Sequence, residues 1–517
     1  MNIFDPVMTS DDAAKFETEY FARNEASEAQ IIERVGEGIA RRFLEEFGGL
    51  VAPKNPSIFA AVGSGHNAAD TLAFLACIAQ SRGAQISLLM PPRQKLRPNT
   101  AQMLARLEKL CGAKIFHSIA EVETKPYDIV AEGLAGMGYR PPMRPEMAER
   151  INLLNRLEAS VKISVDVPAG LSDAPESGAP IFAPDATYAT AIAKKCLFEI
   201  SSRAAAGRIR YIDAGFFEGA RGESERLIVK ESALGALKKL RPANSDKRTY
   251  GRLLIVSGSR TYAGAALINA KAAIRAGAGF VYACAPEGFK PAFCAAEPSV
   301  IWLDADADET GAIALENFQK INAIARNADA ILAGSGLTAS RESAVLVAEL
   351  LKANPDVPAV IDADAICPQV LQTLPARRAA SIITPHEGEF LRCAKDVSDA
   401  SLAEFARRSK CVVALKSSIT RISDGARIAY SAAGSPILSR AGSGDALCAI
   451  MASMLADKHL QKNLSEAGGA PVSAAFKTAA LACHWLGKAA ELAASEAPEC
   501  AFASSDIPAL LRKALQK

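Results

Sequence analysis

The chain has 517 residues, which is longer than a single hydrophobic core usually supports, so two domains are expected. Its 59 Lys and Arg residues nearly balance 57 Asp and Glu residues, which argues against a nucleic-acid partner. The 11 cysteines include no CxxC pair, so the spacing of a zinc site or a disulfide framework is absent. With no apolar run of about 18 residues and an acidic N-terminus broken by Pro6, we expect a cytoplasmic protein without a membrane span.

The first half alternates helical segments with short apolar strands. Residues 28–47 have helical spacing, and strands are predicted in IFAAVGSG, AQISLLM, YDIVAEGL and KISVDVPAG. This alternation is typical of a parallel sheet covered by helices. The glycine turn in IFAAVGSGHNAADT resembles a dinucleotide-binding unit, but the next strand offers no acid for a ribose. The plain alternative is a tight turn in which Asn67 or Asp70 caps a helix.

A second series of strands follows a charged stretch that is interrupted by Gly and Pro. It runs through GRLLIVSGS, GFVYACAP, AILAGSG, PAVIDADA, SIITPHE and CVVALKSS. We place the boundary near residue 223, which gives domains 1–223 and 224–517. The sequence thus predicts an α/β fold with two domains.

The segment SRAGSGDALCAIMASMLA (439–456) carries the strongest chemical signal. Its apolar residues from Leu447 to Leu455 have the spacing of an amphipathic helix, and a glycine turn precedes them. Unpaired amides at a helix start can hold a phosphate, and Asp445 can take a proton from a hydroxyl during phosphoryl transfer. The alternative is that Ser443 or Asp445 only caps the helix.

Other predicted strands also end in polar residues. Gly334 and Gly336 end one strand, Asp362 another, and His386 lies in TPHEGEF. Because ligands of open α/β sheets bind beyond the carboxyl ends of the strands, these groups should converge on one site.

The order of these motifs resembles the carboxyl domain of the bifunctional NAD(P)H-hydrate repair enzymes, over about residues 225–517. The resemblance rests on AGAALINAKAAIRAGAGFVYACAP, GSGL, DADA, TPHEGEF, ALKSSIT and AGSGDAL. It implies a ribokinase-like α/β/α domain that uses ADP and Mg²⁺ to convert S-NAD(P)H hydrate into NAD(P)H, AMP and phosphate. Asp445 would then be the base that activates the hydrate hydroxyl.

The same resemblance implies binding residues for both substrates of this domain. The anion would bind at Gly442, Ser443 and Gly444, and the hydrate at Ala265, Gly336 and His386. The nucleotide would bind at Lys416, Ser417, Ser418, Ile419 and Thr420. Ser417 and Ala441 stand where the family usually has glycine. The alternatives are a ribokinase-like kinase of a small alcohol such as a vitamin precursor, and a nucleotide-binding module without turnover.

The first half resembles the epimerase domain of the same family, over about residues 10–220. The matching segments are GSGHNAADT, DIVAEGLAGMG and SVDVPAGLSD. The resemblance implies a Rossmann-like α/β/α domain that interconverts R and S hydrates with a bound potassium ion. Asp166 would be its catalytic residue, and the hydrate would bind at His66, Asn67, Ala68, Ala69 and Asp70. Asn67, Glu132 and Ala169 would hold the ion.

Several of these positions depart from the family pattern. His66 replaces Asn, Ala68 and Ala69 replace glycines, Thr71 replaces another, Glu132 stands for Asp, and Ala169 for Ser. Because alanine is poor at positive φ, we expect strain in the glycine turn. The open alternatives are an active epimerase and a degenerate domain that only binds or packs. Beyond NADH and NADPH hydrates and ADP, the expected partner is a second copy of the chain, with no nucleic acid and no membrane.

Overall fold

The structure is a computed structural model that describes residues 2–23, 27–218, 224–466 and 473–516. The chain divides into two compact units, Asp5–Ala220, and Met1–Phe4 with Arg221–Lys517. The boundary predicted near residue 223 lies outside the described residues. Both units consist of a largely parallel sheet with helices on both faces, which confirms the predicted α/β class.

The first unit contains nine strands and six α-helices within its described residues. They are β1 Phe4–Met8, α1 Ser10–Ala22, α2 Glu28–Phe47, β2 Ser57–Val62, α3 His66–Arg82, β3 Gln85–Leu89, α4 Pro98–Leu110, β4 Lys114–Phe116, β5 Tyr127–Gly133, α5 Pro145–Arg156, β6 Ala159–Val165, β7 Ala186–Thr190, β8 Ala193–Lys194, α6 Arg203–Ala206 and β9 Arg208–Ile212.

The main sheet of the first unit is parallel, in the order β4-β3-β2-β5-β6-β7-β9. Alternate residues of β2 face opposite sides. Ile58 and Ala60 join a core with α2 and α3, whereas Phe59 and Ala61 pack towards α5. The chain reverses its direction of winding between β2 and β5, which is the place where open α/β sheets bind their ligands.

The second unit contains the remaining elements. They are β10 Arg226–Val229, β11 Arg252–Val256, α7 Ala263–Arg275, β12 Phe280–Pro286, α8 Lys290–Ala296, β13 Ile301–Ala305, α9 Phe318–Ala325, β14 Ala330–Ala333, α10 Arg341–Ala353, β15 Ala359–Ile361, α11 Pro368–Leu371, β16 Ser381–Ile383, α12 Glu387–Phe390, α13 Asp399–Ser409, β17 Val412–Leu415, β18 Thr420–Ser423, β19 Ile428–Ser431, α14 Ser443–Ala456, α15 Lys458–Glu466, α16 Ala474–Glu496 and α17 Ile507–Ala514.

The sheet of the second unit runs β13-β12-β11-β14-β15-β16-β17-β18-β19-β10, and β18 is antiparallel to both of its neighbours. Leu253 and Ile255 of β11 join a core with α7, α14 and α16, while Leu254 and Val256 join one with α10. Helix α14 is buried on all sides from Ala446 to Ala456, so the predicted amphipathic stripe understates its burial. Its N-terminus therefore has a fixed position at the carboxyl ends of the central strands.

Gly251, just before β11, tests how tightly α14 is held against the sheet. Its φ is +79°, and a Cβ there would lie 1.9 Å from the carbonyl oxygen of Ala456. We expect Gly251→Ala to lower the free energy of unfolding of the second unit by more than about 2 kcal/mol, measured as a shift of its thermal unfolding midpoint. Gly264→Ala is the control, because a Cβ there meets nothing within 4 Å. Equal midpoints for the two variants would contradict this packing.

Candidate active sites

Polar residues of the second unit gather beyond the carboxyl ends of β14 to β17. Ser335 follows β14, Asp362 follows β15, Thr384 follows β16 and Lys416 follows β17. The turn after β14 requires glycine, because a Cβ on Gly334, at φ +130°, would lie 1.8 Å from the carbonyl oxygen of Asp362. The parallel register of the four strands therefore places four chain segments around one point.

Asp362 is the centre of this group. It is 1% exposed and accepts hydrogen bonds from Ser335 Oγ (3.0 Å), Thr384 Oγ1 (2.8 Å) and Lys416 Nζ (2.9 Å). Burial alone would raise the pKa of Asp362, but Lys416 and the two hydroxyls hold it below its usual value. Burial would lower the pKa of Lys416, yet Asp362 raises it above its usual value. The two side chains form a buried ion pair.

The glycine turn before α14 lies against this ion pair. Gly442 is the N-cap and adopts φ +93°. Helix α14 begins at Ser443, whose hydroxyl is the hydrogen-bond donor to the carbonyl oxygens of Leu438 and Arg440. A Cβ built on Gly444 would lie 3.2 Å from Lys416 Nζ. The absence of a side chain at Gly444 thus leaves space between first-turn amides and an ammonium group, both of which attract anions.

Asp445 lies in the same first turn of α14 and is half-buried. Burial and the nearby charge of Asp362 raise the pKa of Asp445 to about 6, against the opposing effect of Lys416. Asn269 Nδ2 (2.7 Å) and Cys448 Sγ (3.1 Å) bond to the backbone carbonyl of Asp445 rather than to its carboxylate. A carboxylate with this pKa is suited to accept a proton near neutral pH.

The residues predicted to bind the hydrate and the nucleotide surround this turn. Gly336 lies against α7, since a Cβ there would be 2.8 Å from Ala265 Cβ. His386 is exposed, caps α12 and forms a parallel bridge with Lys416. The other four members of the predicted nucleotide loop, 417–420, connect β17 to the start of β18. Among them Ile419 is 8% exposed, so its side chain belongs to the core.

Sequence reasoning missed Asn269 and Cys448, which hold the backbone of Asp445, and Thr384, which binds Asp362. Thr384 directly precedes the motif PHEGEF, so its place at a strand end was a usable signal. Asn269 is fully buried in α7, and a single Asn within an apolar helical run gives no local indication of a partner 176 residues away.

In the first unit, Asp166 lies beyond the carboxyl end of β6. Its φ is +71°, a conformation that few residues other than Gly, Asn and Asp adopt. Its Oδ2 accepts a hydrogen bond from Met137 N (2.8 Å), and its Oδ1 lies 2.5 Å from Lys194 Nζ. Lys194, at the end of β8, was not predicted from the sequence.

Asn67 and Asp166 face a common space. A Cβ on Gly136 would lie 2.6 Å from Asp166 Oδ2 and 3.0 Å from Asn67 Cγ. Asn67 is 9% exposed, and neither side-chain atom, Oδ1 or Nδ2, has a hydrogen-bond partner among the described residues. A buried amide without a partner is rare in proteins, so this space is suited to a polar ligand.

Two further carboxyl groups, those of Glu17 and Asp70, are influenced by the charges of Asp166 and Lys194. Burial raises the pKa of Glu17, on α1, to about 7, with Lys194 opposing and Asp166 adding to the rise. Burial, with the charges of Asp166 and Glu17, raises the pKa of Asp70 well above its usual value. The sequence motif contains Asp70, but Glu17 lies outside every motif considered.

The three predicted potassium ligands differ in what they can offer. Glu132 is fully buried, and its carboxylate accepts hydrogen bonds from Leu134 N (2.6 Å), Ser164 Oγ (2.8 Å) and Ala169 N (3.1 Å). Burial raises the pKa of Glu132 to about 7 although these donors oppose the rise. The carbonyl oxygen of Ala169 accepts the amide of Phe182 (2.9 Å). Of the three, only Asn67 has an oxygen that no described residue occupies.

The other predicted residues of the HNAAD motif lie in the first turns of α3. Ala68 and Ala69 are 1% and 0% exposed and pack into the core as part of a right-handed helix. The expected strain of alanine at positive φ is therefore wrong for these two positions. His66 pairs with Glu28 at the half-exposed start of the helix (3.3 Å).

Comparisons with known proteins match both halves of the chain. A family model described as NAD(P)H-hydrate dehydratase matches residues 253–512, and one described as the YjeF-related protein N-terminus matches residues 28–196. The chain is 30% identical over 424 residues to the bifunctional NAD(P)H-hydrate repair enzyme Nnr of Gloeobacter violaceus, covering 78% of this chain and 80% of that protein. The chain belongs to this family.

A second relative of the repair-enzyme family, from Hyperthermus butylicus, is also 30% identical and covers 83% of this chain and 80% of its own length. Among solved structures, a ribokinase-like superfamily protein from Enterococcus faecalis has 21% identity and a TM-score of 0.47, and covers 56% of this chain and 96% of its own. An ADP/ATP-dependent NAD(P)H-hydrate dehydratase from Bacillus subtilis, co-crystallised with ATP and Mg²⁺, has 24% identity and a TM-score of 0.43, with coverage of 54% and 93%. Within the described ranges, no helix is long and apolar enough to cross a membrane.

The buried ion pair of the second unit makes a testable contribution to stability. Asp362→Asn keeps the shape of the side chain but leaves the ammonium of Lys416, whose side chain is 21% exposed, without its carboxylate. Because an unpaired buried charge is costly, we expect the free energy of unfolding to fall by about 3 kcal/mol, measured by denaturant titration at pH 7.

The matched control is Asp356→Asn, which breaks an exposed pair with Arg378 whose side chains are 67% and 66% exposed. We expect no measurable change there, because exposed ion pairs are screened by solvent. Removing both charges, in the double variant Asp362→Asn with Lys416→Met, should recover part of the lost stability. If Asp362→Asn alone loses no more stability than the control, the buried ion pair is contradicted.

Proposed function

We propose that the second unit is an ADP-dependent dehydratase that converts the S form of NADH or NADPH hydrate into the reduced dinucleotide, with release of AMP and phosphate. Family membership supports the reaction class. The observation that carries the proposal is the position of Asp445, a half-buried carboxylate with a pKa of about 6, in the turn that also contains Gly444 and lies beside the Lys416 ammonium.

The reaction divides into two steps at this turn. Asp445 takes the proton of the hydrate hydroxyl as that oxygen attacks the β-phosphorus of ADP, and AMP leaves. Phosphate then departs with the electrons of the C–O bond, and the adjacent ring carbon loses a proton to form the double bond. Lys416 and the first-turn amides of α14 stabilise the phosphoryl oxygens as their charge develops.

Magnesium would supply charge neutralisation between the phosphates of ADP. Among the residues that the structure describes, no group of three or more His, Cys, Asp or Glu side chains is placed to hold a metal ion. This fits an ion held chiefly by phosphate oxygens and water, which is the usual state of Mg²⁺ in phosphoryl-transfer sites. Glu389, an acid of the motif PHEGEF whose carboxylate accepts the amide of His386 (2.8 Å), would be its candidate protein ligand.

The test of the dehydratase is recovery of absorbance at the nicotinamide band when the protein is mixed with S-NADPH hydrate, ADP and Mg²⁺. We expect kcat/KM to rise with pH through about 6, because Asp445 must be ionised to act as base. Asp445→Asn should lower kcat by about 100-fold or more.

Asp457→Asn is the control, since Asp457 lies at the far end of α14 and caps the next helix through Leu460 N (2.9 Å), a role that Asn also fills. No recovery with either ADP or ATP would refute the dehydratase. A stable phosphorylated product would instead favour the small-alcohol kinase, and tight ADP binding without turnover would favour the binding module.

We further propose that the first unit epimerises the R and S hydrates, with Asp166 as the catalytic carboxylate. Three observations support an active site rather than a packing domain. The site lies at the reversal point of the sheet, the Asn67 amide is buried without a partner, and Gly136 leaves open the space between Asn67 and Asp166. Asp166 can move a proton at the hydroxyl or stabilise the positive charge that forms at the reacting carbon.

The potassium ion implied by the family fits these residues poorly. Only Asn67 has an uncommitted side-chain oxygen, whereas Glu132 holds three protein donors and Ala169 has no side-chain oxygen. No step of the proposed epimerisation is assigned to the ion.

Epimerisation is tested by supplying pure R-hydrate and following the R to S ratio by chromatography. We expect conversion above the spontaneous rate, and we expect Asp166→Asn to lower the excess by about 100-fold or more. Asn tolerates φ +71°, but the variant leaves the buried Lys194 ammonium without its carboxylate, so circular dichroism must show that the assayed protein is folded. Asp173→Asn serves as a control in the same unit, where the carboxylate only accepts the amide of Ser10 (2.7 Å). A wild-type rate equal to the spontaneous rate would leave the first unit as a degenerate domain.

A further inference from the structure

The buried lysine beside Asp166 has no role in the reactions described so far. Lys194 is 1% exposed, and its Nζ lies 2.5 Å from Asp166 Oδ1 and donates to the carbonyl oxygen of Thr190 (3.0 Å). A buried ammonium is strongly disfavoured unless it is paired and hydrogen-bonded, and both conditions are met here. The question is what this arrangement does for the site.

Stability alone explains the pair poorly. Replacing a buried ion pair by well-packed apolar residues is often neutral or stabilising, so a fold does not need one in order to hold together. This pair also lies where the sheet opens to ligands, beside the unpartnered Asn67 amide and the space that Gly136 leaves free. Its position associates it with ligand binding.

The two carboxylate oxygens of Asp166 have different partners. Oδ1 is held by Lys194 Nζ, with Thr190 Oγ1 at 3.5 Å, whereas Oδ2 accepts the amide of Met137 (2.8 Å) and lies towards the space at Gly136. Since Lys194 fixes one oxygen, the carboxylate cannot rotate, and the other oxygen keeps its direction towards Asn67. The strained backbone of Asp166, at φ +71°, adds to this fixed geometry.

The charge of the Lys194 ammonium also acts on two neighbouring acids, whose pKa values it lowers against the effect of burial. Burial raises the pKa of Glu17 to about 7 and that of Asp70 further above its usual value, so these groups favour their protonated forms relative to exposed carboxyls. Of these three acids, Asp166 is the one with an oxygen 2.5 Å from Lys194 Nζ.

We propose that Lys194 is a positioning residue of the epimerase site, which locks Asp166 Oδ1 so that Oδ2 faces the bound hydrate. The inference deepens the proposed epimerase function and rests on it. A positioning residue acts on the turnover step more than on binding, so its loss should lower kcat and leave KM nearly unchanged.

The experiment compares Lys194→Met with Lys195→Met in the full-length protein, with pure R-NADPH hydrate as substrate. Lys195 is the matched control, because its partner Glu199 is 49% exposed and Lys195 itself is 35% exposed. We expect Lys194→Met to lower kcat on the order of 100-fold, with KM within about threefold of wild type. We expect Lys195→Met to leave both constants unchanged.

A purely structural role predicts a different result, namely kcat retained in the protein that remains folded. Circular dichroism and thermal unfolding report whether the first unit is folded, and ADP-dependent turnover of S-hydrate reports that the second unit is intact. Wild-type kcat in folded Lys194→Met would overturn the inference while leaving the epimerase proposal intact. A wild-type protein that does not exceed the spontaneous rate would refute the epimerase and this inference together.

If Lys194→Met does not fold, Lys194→Arg decides the question. It retains the positive charge, but a planar and longer guanidinium cannot take the place of an ammonium 2.5 Å from Oδ1 without moving the carboxylate. A lowered kcat with retained KM supports the inference, and an unchanged kcat overturns it.

Discussion

The buried ion pair between Lys416 and Asp362 is the interaction around which the site of the second unit is assembled. Its carboxylate joins the ends of three strands, because Ser335, Thr384 and Lys416 all donate to it. Its ammonium places a positive charge next to Gly444, in the first turn of α14. The same carboxylate contributes to the raised pKa of Asp445. One pair of side chains thus links the sheet, the anion-binding turn and the base.

The first unit also contains a buried pair of lysine and aspartate, but there the aspartate of the pair is the proposed catalytic residue. There the carboxylate assigned to catalysis, Asp166, is itself the partner of the buried lysine, Lys194. In the second unit the lysine is paired with Asp362, so that Asp445 remains outside the ion pair. The first arrangement holds the carboxylate in place, whereas the second leaves Asp445 outside the ion pair, with its pKa raised to about 6. The epimerase proposed for the first unit accordingly uses a carboxylate held by a lysine, and the dehydratase proposed for the second unit uses a carboxylate that takes a proton from the hydrate hydroxyl.

Sequence patterns predicted the α/β class and most strands, because buried parallel strands appear as short apolar runs between helices. They also indicated Asp445, which follows a glycine turn at a helix start, whereas Asp166 was indicated by the resemblance to the epimerase domain. They could not indicate Lys194 or Asn269, whose partners are distant in the chain or belong to another element. The expected strain at Ala68 and Ala69 was wrong because those residues lie inside α3, where right-handed φ values suit alanine.

The left-handed backbone at Asp166 restricts how this position can change during evolution. At φ +71° only Gly, Asn and Asp are accommodated at low cost, so most single substitutions lose conformational stability as well as the carboxylate. A domain released from selection for catalysis would therefore drift most easily to Asn or Gly at this position, and an aspartate retained there is a residue that both the backbone and the proposed chemistry favour.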